Sequence, residues 1–225
     1  MGVELKCRRR WGTAPALALA CIFVTQTTSA RSGGQAAAEN AQAEFDALIA
    51  RVKQSDESVD FLRLRRLYAE SGTFTPYRDD AEESMIAAAG AGQDEAALKI
   101  AREILARNYM NIEAHMASTV VCTNLGDAMC AAHHGYAARG MLKSILASGD
   151  GKTPATAFVV VNTPEEYAIV RVLGVRVVSQ SLMRSADGHA YDVLTVRDAG
   201  TGQESLLYFN VDVALAAMGR VFGLK

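Results

Sequence analysis

Two short stretches that begin 34 residues apart constrain the fold of this chain most strongly. They cover residues 92–97 and 126–131, and each opens on a glycine, Gly92 or Gly126, followed closely by an aspartate. A glycine can end one helix, an aspartate can cap the next, and the small residues that follow let the two helices cross closely. The interval is the period of the tetratricopeptide repeat, a pair of antiparallel helices. The sequence therefore predicts tetratricopeptide-like helical hairpins, although the large aromatic residues of that repeat are missing.

Apolar residues at helical spacing predict further helices around these turns. Residues 31–40 contain no large apolar side chain and are expected to form a flexible tether. An amphipathic helix is predicted over 41–53 and a second one after Ser58. Four more helices are predicted between about residues 80 and 147, and they form the repeat region.

The sequence changes its period after residue 152. Short β-branched runs and turn signals there predict the order β-α-β-β-β-α, an antiparallel meander with two helices packed on it. Thr163 and Asp212 are expected to cap these two helices. The fold class is therefore α+β, with a helical region at 41–151 and a small α+β domain at 152–225.

The first 30 residues have the pattern of a secretory signal peptide. Basic Lys6 and Arg8–Arg10 precede an apolar run from Ala14 to Val24, and Thr28-Ser29-Ala30 offers small residues for cleavage. The run is too short to span roughly 30 Å of hydrocarbon, so no transmembrane segment is expected in the mature chain. In an alternative interpretation, Cys21 becomes a lipidated N-terminus. The pattern predicts a periplasmic or secreted protein, or a lipoprotein anchored through Cys21.

The charge of the chain disfavours nucleic acid as a partner. The 225 residues carry a formal net charge of −2 at pH 7. Cleavage after Ala30 would remove several basic residues and only Glu4 among the acids, so the mature chain would be more acidic still. Without a basic stripe to contact phosphates, nucleic-acid binding is not expected.

Two cysteines, Cys122 and Cys130, remain in the predicted mature chain. They flank the Gly126 turn, and a disulfide is the simplest state for such a pair in an oxidising compartment. Two alternatives stay open. The thiols could be unpaired, or Cys130 could join His133 and His134, which lie on the same helical face, in a zinc site.

Known catalytic and cofactor motifs do not account for the remaining polar residues. The stretch Gly149–Thr153 ends like a phosphate-binding loop, but Leu146 stands where the leading glycine belongs and a strand follows instead of a helix. No Gly-x-Ser-x-Gly motif occurs, and no cofactor is expected. Five residues are retained as candidate binding residues, because the fold could bring them together: His115, Asp150, Lys152, Glu166 and Asp192.

Several short motifs together resemble an uncharacterised family of exported bacterial proteins, domain of unknown function 4919. The resemblance extends from about Glu44 to Val211. It implies export and a shared fold, but no activity. It rests on Asp60-Phe61, Leu64-Arg65, Tyr68, Pro76-Tyr77, Asn108-Tyr109, His115, Ser148-Gly149-Asp150-Gly151, Glu165-Glu166-Tyr167, Tyr191-Asp192 and Tyr208-Phe209-Asn210.

Two functions are compatible with these observations. The first is a non-catalytic binding or scaffold module, in which the helical hairpins offer a groove to a peptide or protein partner. The alternative is a small enzyme, such as a hydrolase, with a site near Asp150, Lys152 and His115 where the two parts of the chain meet.

Overall fold

In the part of the chain that the structure describes, six α-helices come first, and a four-stranded sheet with two more α-helices follows. The computed structural model describes residues 33–223, so the predicted signal peptide and Cys21 lie outside the described residues. The helices are α1 (Gly33–Lys53), α2 (Phe61–Glu70), α3 (Glu82–Gly90), α4 (Asp94–Arg107), α5 (Ile112–Asn124), α6 (Ala128–Leu146), α7 (Thr163–Val172) and α8 (Asp212–Val221). The strands are β1 (Phe158–Val159), β2 (Val175–Arg184), β3 (Ala190–Asp198) and β4 (Glu204–Asn210).

The first helix is longer than the sequence indicated. It begins at Gly33, so the flexible tether predicted for 31–40 is wrong from that residue onward. Alanine has the highest helix propensity, and the alanines at 36–38 extend the helix even though they are exposed. Phe45, Leu48 and Val52 then form the buried face of the same helix.

The two glycine turns lie where they were predicted. Gly92 separates α3 from α4 and Gly126 separates α5 from α6, with φ angles of 71° and 75° that favour glycine. Asp127 caps α6 by accepting a hydrogen bond from the Cys130 backbone N–H. Asp94 does not cap α4. It is the first residue of that helix, where its charge complements the helix dipole.

The sheet is mixed, which corrects the prediction of a wholly antiparallel unit. Strands β2, β3 and β4 form an antiparallel meander, and the strand order is β1-β4-β3-β2. Strand β1 instead lies parallel to β4, with Phe158 opposite Phe209. Two further predictions are wrong in detail. Asn162, and not Thr163, caps α7, and Asp212 is the first residue of α8 without a capping hydrogen bond.

One hydrophobic core connects the helices with the sheet. Leu64 of α2 and Ile145 of α6 belong to the same buried cluster as Ile169 of α7 and Leu194 and Phe209 of the sheet. The small residues of α3, α4 and α5 allow these helices to pack closely around a second cluster that contains Met85 and Ile104. Helical and sheet residues therefore share buried surface.

A buried ion pair also joins the two parts. Arg65 of α2 donates from Nε and Nη2 to both carboxylate oxygens of Glu165 on α7, at 2.7 and 2.6 Å. Its Nη2 also donates to the Val159 carbonyl of β1 at 2.8 Å, and Glu165 accepts from the Val161 backbone N–H. The pairing is bidentate and saturated by further hydrogen bonds, as a buried charge requires.

Candidate functional site

The five candidate binding residues fall in three different places. The side chains of Glu166 on α7 and Asp192 on β3 lie next to each other. Glu166 is 1% exposed, and burial together with the neighbouring Asp192 raises its pKa to about 9. The protonated Glu166 carboxyl can donate a hydrogen bond to Asp192, which also accepts from Gln180 Nε2 at 2.8 Å. The two carboxyl groups share a proton, with Glu166 enclosed and Asp192 only partly buried.

His115 is the centre of a histidine network. Its Nε2 lies 2.9 Å from the Tyr109 carbonyl oxygen, so Nε2 carries the proton and Nδ1 accepts from His134 Nδ1 at 3.0 Å. Burial lowers the pKa of His115 to about 3, with a contribution from the nearby His134. A second branch joins Tyr109, His133 and Ser55. The network connects the α1–α2 turn to α5 and α6.

Asp150 and Lys152 lie at the surface and contact each other, with Nζ and Oδ2 3.6 Å apart. Within residues 33–223, no contact joins either of them to the enclosed His115. The structure therefore brings together Glu166 and Asp192, but not the trio on which the enzyme alternative depends.

The cysteines form the predicted disulfide. Cys122 and Cys130 are bonded, with their Cα atoms 5.7 Å apart across the Gly126 turn. The bond removes Cys130 as a thiolate ligand for zinc. Among the residues that the structure describes, no three His, Cys, Asp or Glu side chains are grouped so that they could hold a metal ion.

A groove between α2 and α6 was not predicted from the sequence. Its volume is about 650 Å³, and it is lined by Phe61 and Tyr136, whose ring centroids lie 5.6 Å apart. Gly140 makes room for Phe61, because a Cβ atom at that position would lie 2.2 Å from the ring. An isolated glycine inside a helix is unfavourable by about 1 kcal/mol and often has a packing reason. Gly140 was therefore the sequence signal that could have located this α2–α6 groove.

The walls of the α2–α6 groove carry opposite charges. Arg139 and Lys143 lie one turn apart on α6, and Glu57 and Asp60 lie on the opposite side. Ser144 lines the groove as well, and the Tyr136 hydroxyl is held by the Asp56 carbonyl oxygen. The surface combines aromatic area with separated positive and negative groups.

A second, smaller cavity lies where the helical part meets α7 and β2. We call it the junction cleft; its volume is about 210 Å³, and it is lined by Arg78, Glu113, Pro164, Tyr167, Val170, Arg171 and Val175. None of its charged residues was predicted from the sequence to belong to a site, because they come from three separate segments and each is ordinary in its local context.

Comparison with known proteins gives the family and no further relative. No curated protein and no solved structure matches the chain. Within residues 33–223, no helix combines the length and apolar character needed to cross a membrane. A family model described as domain of unknown function (DUF4919) matches residues 34–220, nearly the whole described chain. The chain therefore belongs to this family, as the short motifs indicated.

Proposed function

We propose that the protein is an exported, non-catalytic binding module that takes a peptide or protein partner in the α2–α6 groove. The observation that carries the proposal is the groove itself, which is lined by two aromatic rings, by two basic residues of α6 and by two acidic residues at the start of α2 and before it. Aromatic side chains supply contact area at low entropic cost, and opposite charges orient a partner. The 34-residue spacing of the glycine turns supports a tetratricopeptide-like helical stack, an architecture whose grooves bind peptides.

Export is part of the same proposal. Its support is the signal-peptide pattern of residues 1–30 together with the Cys122–Cys130 disulfide, because such bonds persist in oxidising compartments. Mass spectrometry of the protein purified from cell fractions would test it. Cleavage after Ala30 gives a free periplasmic chain, and a lipidated Cys21 gives an anchored one. An uncleaved chain with reduced cysteines would contradict export.

The binding test uses charge reversal in the α2–α6 groove. The double variant Arg139→Glu and Lys143→Glu changes the basic wall while leaving buried residues of α6 in place. Partners crosslinked to the wild-type protein in a periplasmic extract should be lost from this variant by roughly tenfold or more, since charged contacts contribute about 1.5–3 kcal/mol each.

A matched control reverses two exposed charges on another helix. Lys99→Glu and Arg102→Glu on α4 make the same change in net charge outside the groove. This variant should keep the crosslinked partner. If both variants lose the crosslinked partner equally, the loss is a general effect of net charge and the groove is not the binding site. If both variants capture the partner as well as wild type does, the α2–α6 groove does not bind it.

The enzyme alternative receives no comparable support. It required Asp150, Lys152 and His115 to converge, whereas His115 is enclosed in the histidine network and the other two residues face solvent. We therefore propose the binding module and not the enzyme.

A further inference from the structure

The junction cleft contains two arginine side chains that are only partly paired. Arg78 forms an ion pair with Glu82, with Nε 3.1 Å from Oε2, and Arg171 forms one with Glu113, with Nη2 3.0 Å from Oε2. Both arginine side chains are about half exposed, whereas the two glutamates are buried. The remaining guanidinium N–H groups have no partner among the described residues. Each glutamate thus holds an arginine in place while leaving donors available for an anionic group.

Glu113, which lines the cleft, also has a buried acceptor oxygen without a donor in the described part of the chain. Glu113 is only 4% exposed, and its Oε1 atom has no hydrogen-bond partner within residues 33–223. Burial raises the pKa of Glu113, and the Arg171 charge opposes that change. A buried oxygen left without a donor is unfavourable, because it has lost its hydrogen bonds to water. An N–H group of a ligand would remove this cost if it reached Oε1.

The rest of the cleft is small and apolar. Pro164, Val170 and Val175 line it together with the Tyr167 ring. Its volume of about 210 Å³ is below the roughly 300 Å³ at which pockets for drug-sized ligands begin. A ligand group that fits is therefore about one amino-acid residue in size.

We propose that the junction cleft binds an α-amino carboxylate, either a free amino acid or the C-terminal residue of a peptide. The carboxylate accepts hydrogen bonds from Arg78 and Arg171, the nitrogen on the α-carbon donates to Glu113 Oε1, and an apolar side chain packs on Val170 and Val175. The inference uses none of the residues of the α2–α6 groove, so it holds or fails independently of the proposed function.

Four small compounds test this recognition by isothermal titration calorimetry with the full mature chain. Leucine carries all three groups, 4-methylpentanoate lacks only the amino group, leucinamide lacks only the carboxylate, and glycyl-leucine presents the same residue as a peptide terminus. Leucine or glycyl-leucine should bind saturably, and the two truncated compounds should bind at least about tenfold more weakly. Tighter binding of leucine indicates a free amino acid, and tighter binding of glycyl-leucine indicates a peptide terminus.

Variants connect that binding to the cleft. Arg78→Gln and Arg171→Gln should each weaken the preferred ligand at least about tenfold. Arg171→Lys, which keeps the charge but not the planar fork, should have an intermediate effect. Arg197→Gln serves as the control, because this half-exposed arginine pairs with Glu204 on the β3–β4 ladder. Thermal unfolding of each variant separates lost binding from lost folding.

The inference is overturned if neither leucine nor glycyl-leucine binds the wild-type protein. It is also overturned if leucinamide binds as well as leucine, or if folded Arg78→Gln and Arg171→Gln variants keep the wild-type affinity. Failure of all four compounds alongside groove-dependent partner capture would reject this site while leaving the proposed function intact.

Discussion

At the scale of single residues, Glu166 should make the protein less stable in alkaline solution. Its pKa is raised from an ordinary 4.5 to about 9, so the folded chain holds a proton that the unfolded chain releases within this range. The free energy of unfolding therefore falls as pH rises from about 4.5 to 9. We predict that Glu166→Gln, which keeps the shape and a donor for Asp192, raises the free energy of unfolding by about 1–3 kcal/mol at pH 8. Urea denaturation of the wild-type protein and the variant at pH 6 and pH 8 measures this difference in the free energy of unfolding.

The control for this prediction is Glu103→Gln, an exposed carboxyl on α4 that should change stability by at most about 0.5 kcal/mol. The two histidines with lowered pKa values should contribute equally to the profile in all three proteins. His115 and the partly buried His134, with pKa values of about 3 and 4, take up protons on unfolding, so their contribution lowers the stability as pH falls below about 6.5. A Glu166→Gln variant that is less stable than wild type at pH 8 would contradict the proton-sharing pair.

At the scale of elements, the disulfide should stabilise the α5–α6 hairpin. Cys122 and Cys130 are eight residues apart in sequence, and a cross-link that closes such a loop stabilises a fold by about 2–3 kcal/mol through the entropy of the unfolded chain. We predict that the double variant Cys122→Ala and Cys130→Ala loses this amount in urea unfolding. A reducing agent should destabilise the wild-type protein similarly and leave the variant unchanged. If the reducing agent has no effect on the wild type, the bond does not contribute to stability.

Some features of the helices and strands were predictable from the sequence and others were not. The hairpin turns and the Cys122–Cys130 bond were predictable because their signals are local: a glycine, a nearby cap and two cysteines close in the chain. The parallel pairing of β1 with β4 was not predictable from the sequence. Strand β1 has only two residues, Phe158–Val159, which are too few to indicate a partner or a register, and α7, β2 and β3 separate it from β4 in the chain. The helical start at Gly33 was missed because a polar, alanine-rich segment can be either helix or tether.

At the scale of the whole molecule, the sites were the least predictable part. Glu166 and Asp192 were selected as candidate residues, and the fold brings them together, but Glu166 is enclosed and leaves only Asp192 partly exposed. The junction cleft takes Arg78 from the loop before α3, Glu113 from α5 and Arg171 from α7, so its chemistry exists only after the helical part packs on the sheet. The spacing of apolar residues predicts the secondary structure of each segment, but it does not predict which segments contact one another in the fold.

The ion pair between Arg65 and Glu165 tests how strongly the two parts depend on each other. Removing Arg65 would leave Glu165 as a buried carboxylate and the Val159 carbonyl without its donor, because α2, α7 and β1 meet at this guanidinium. We predict that Arg65→Ala lowers the free energy of unfolding by about 3–5 kcal/mol. Arg63→Ala on the same helix removes a half-exposed pair with Glu44 and should lower the free energy of unfolding far less, because solvent screens this pair. The unfolding of the wild-type protein in urea should be followed by circular dichroism and by spectroscopic probes placed in the helical part and in the sheet. These signals should show one shared transition, because helices and sheet share a core. Equal losses in the two variants, or separate transitions for helices and sheet in the wild-type protein, would show that the buried pair does not couple them.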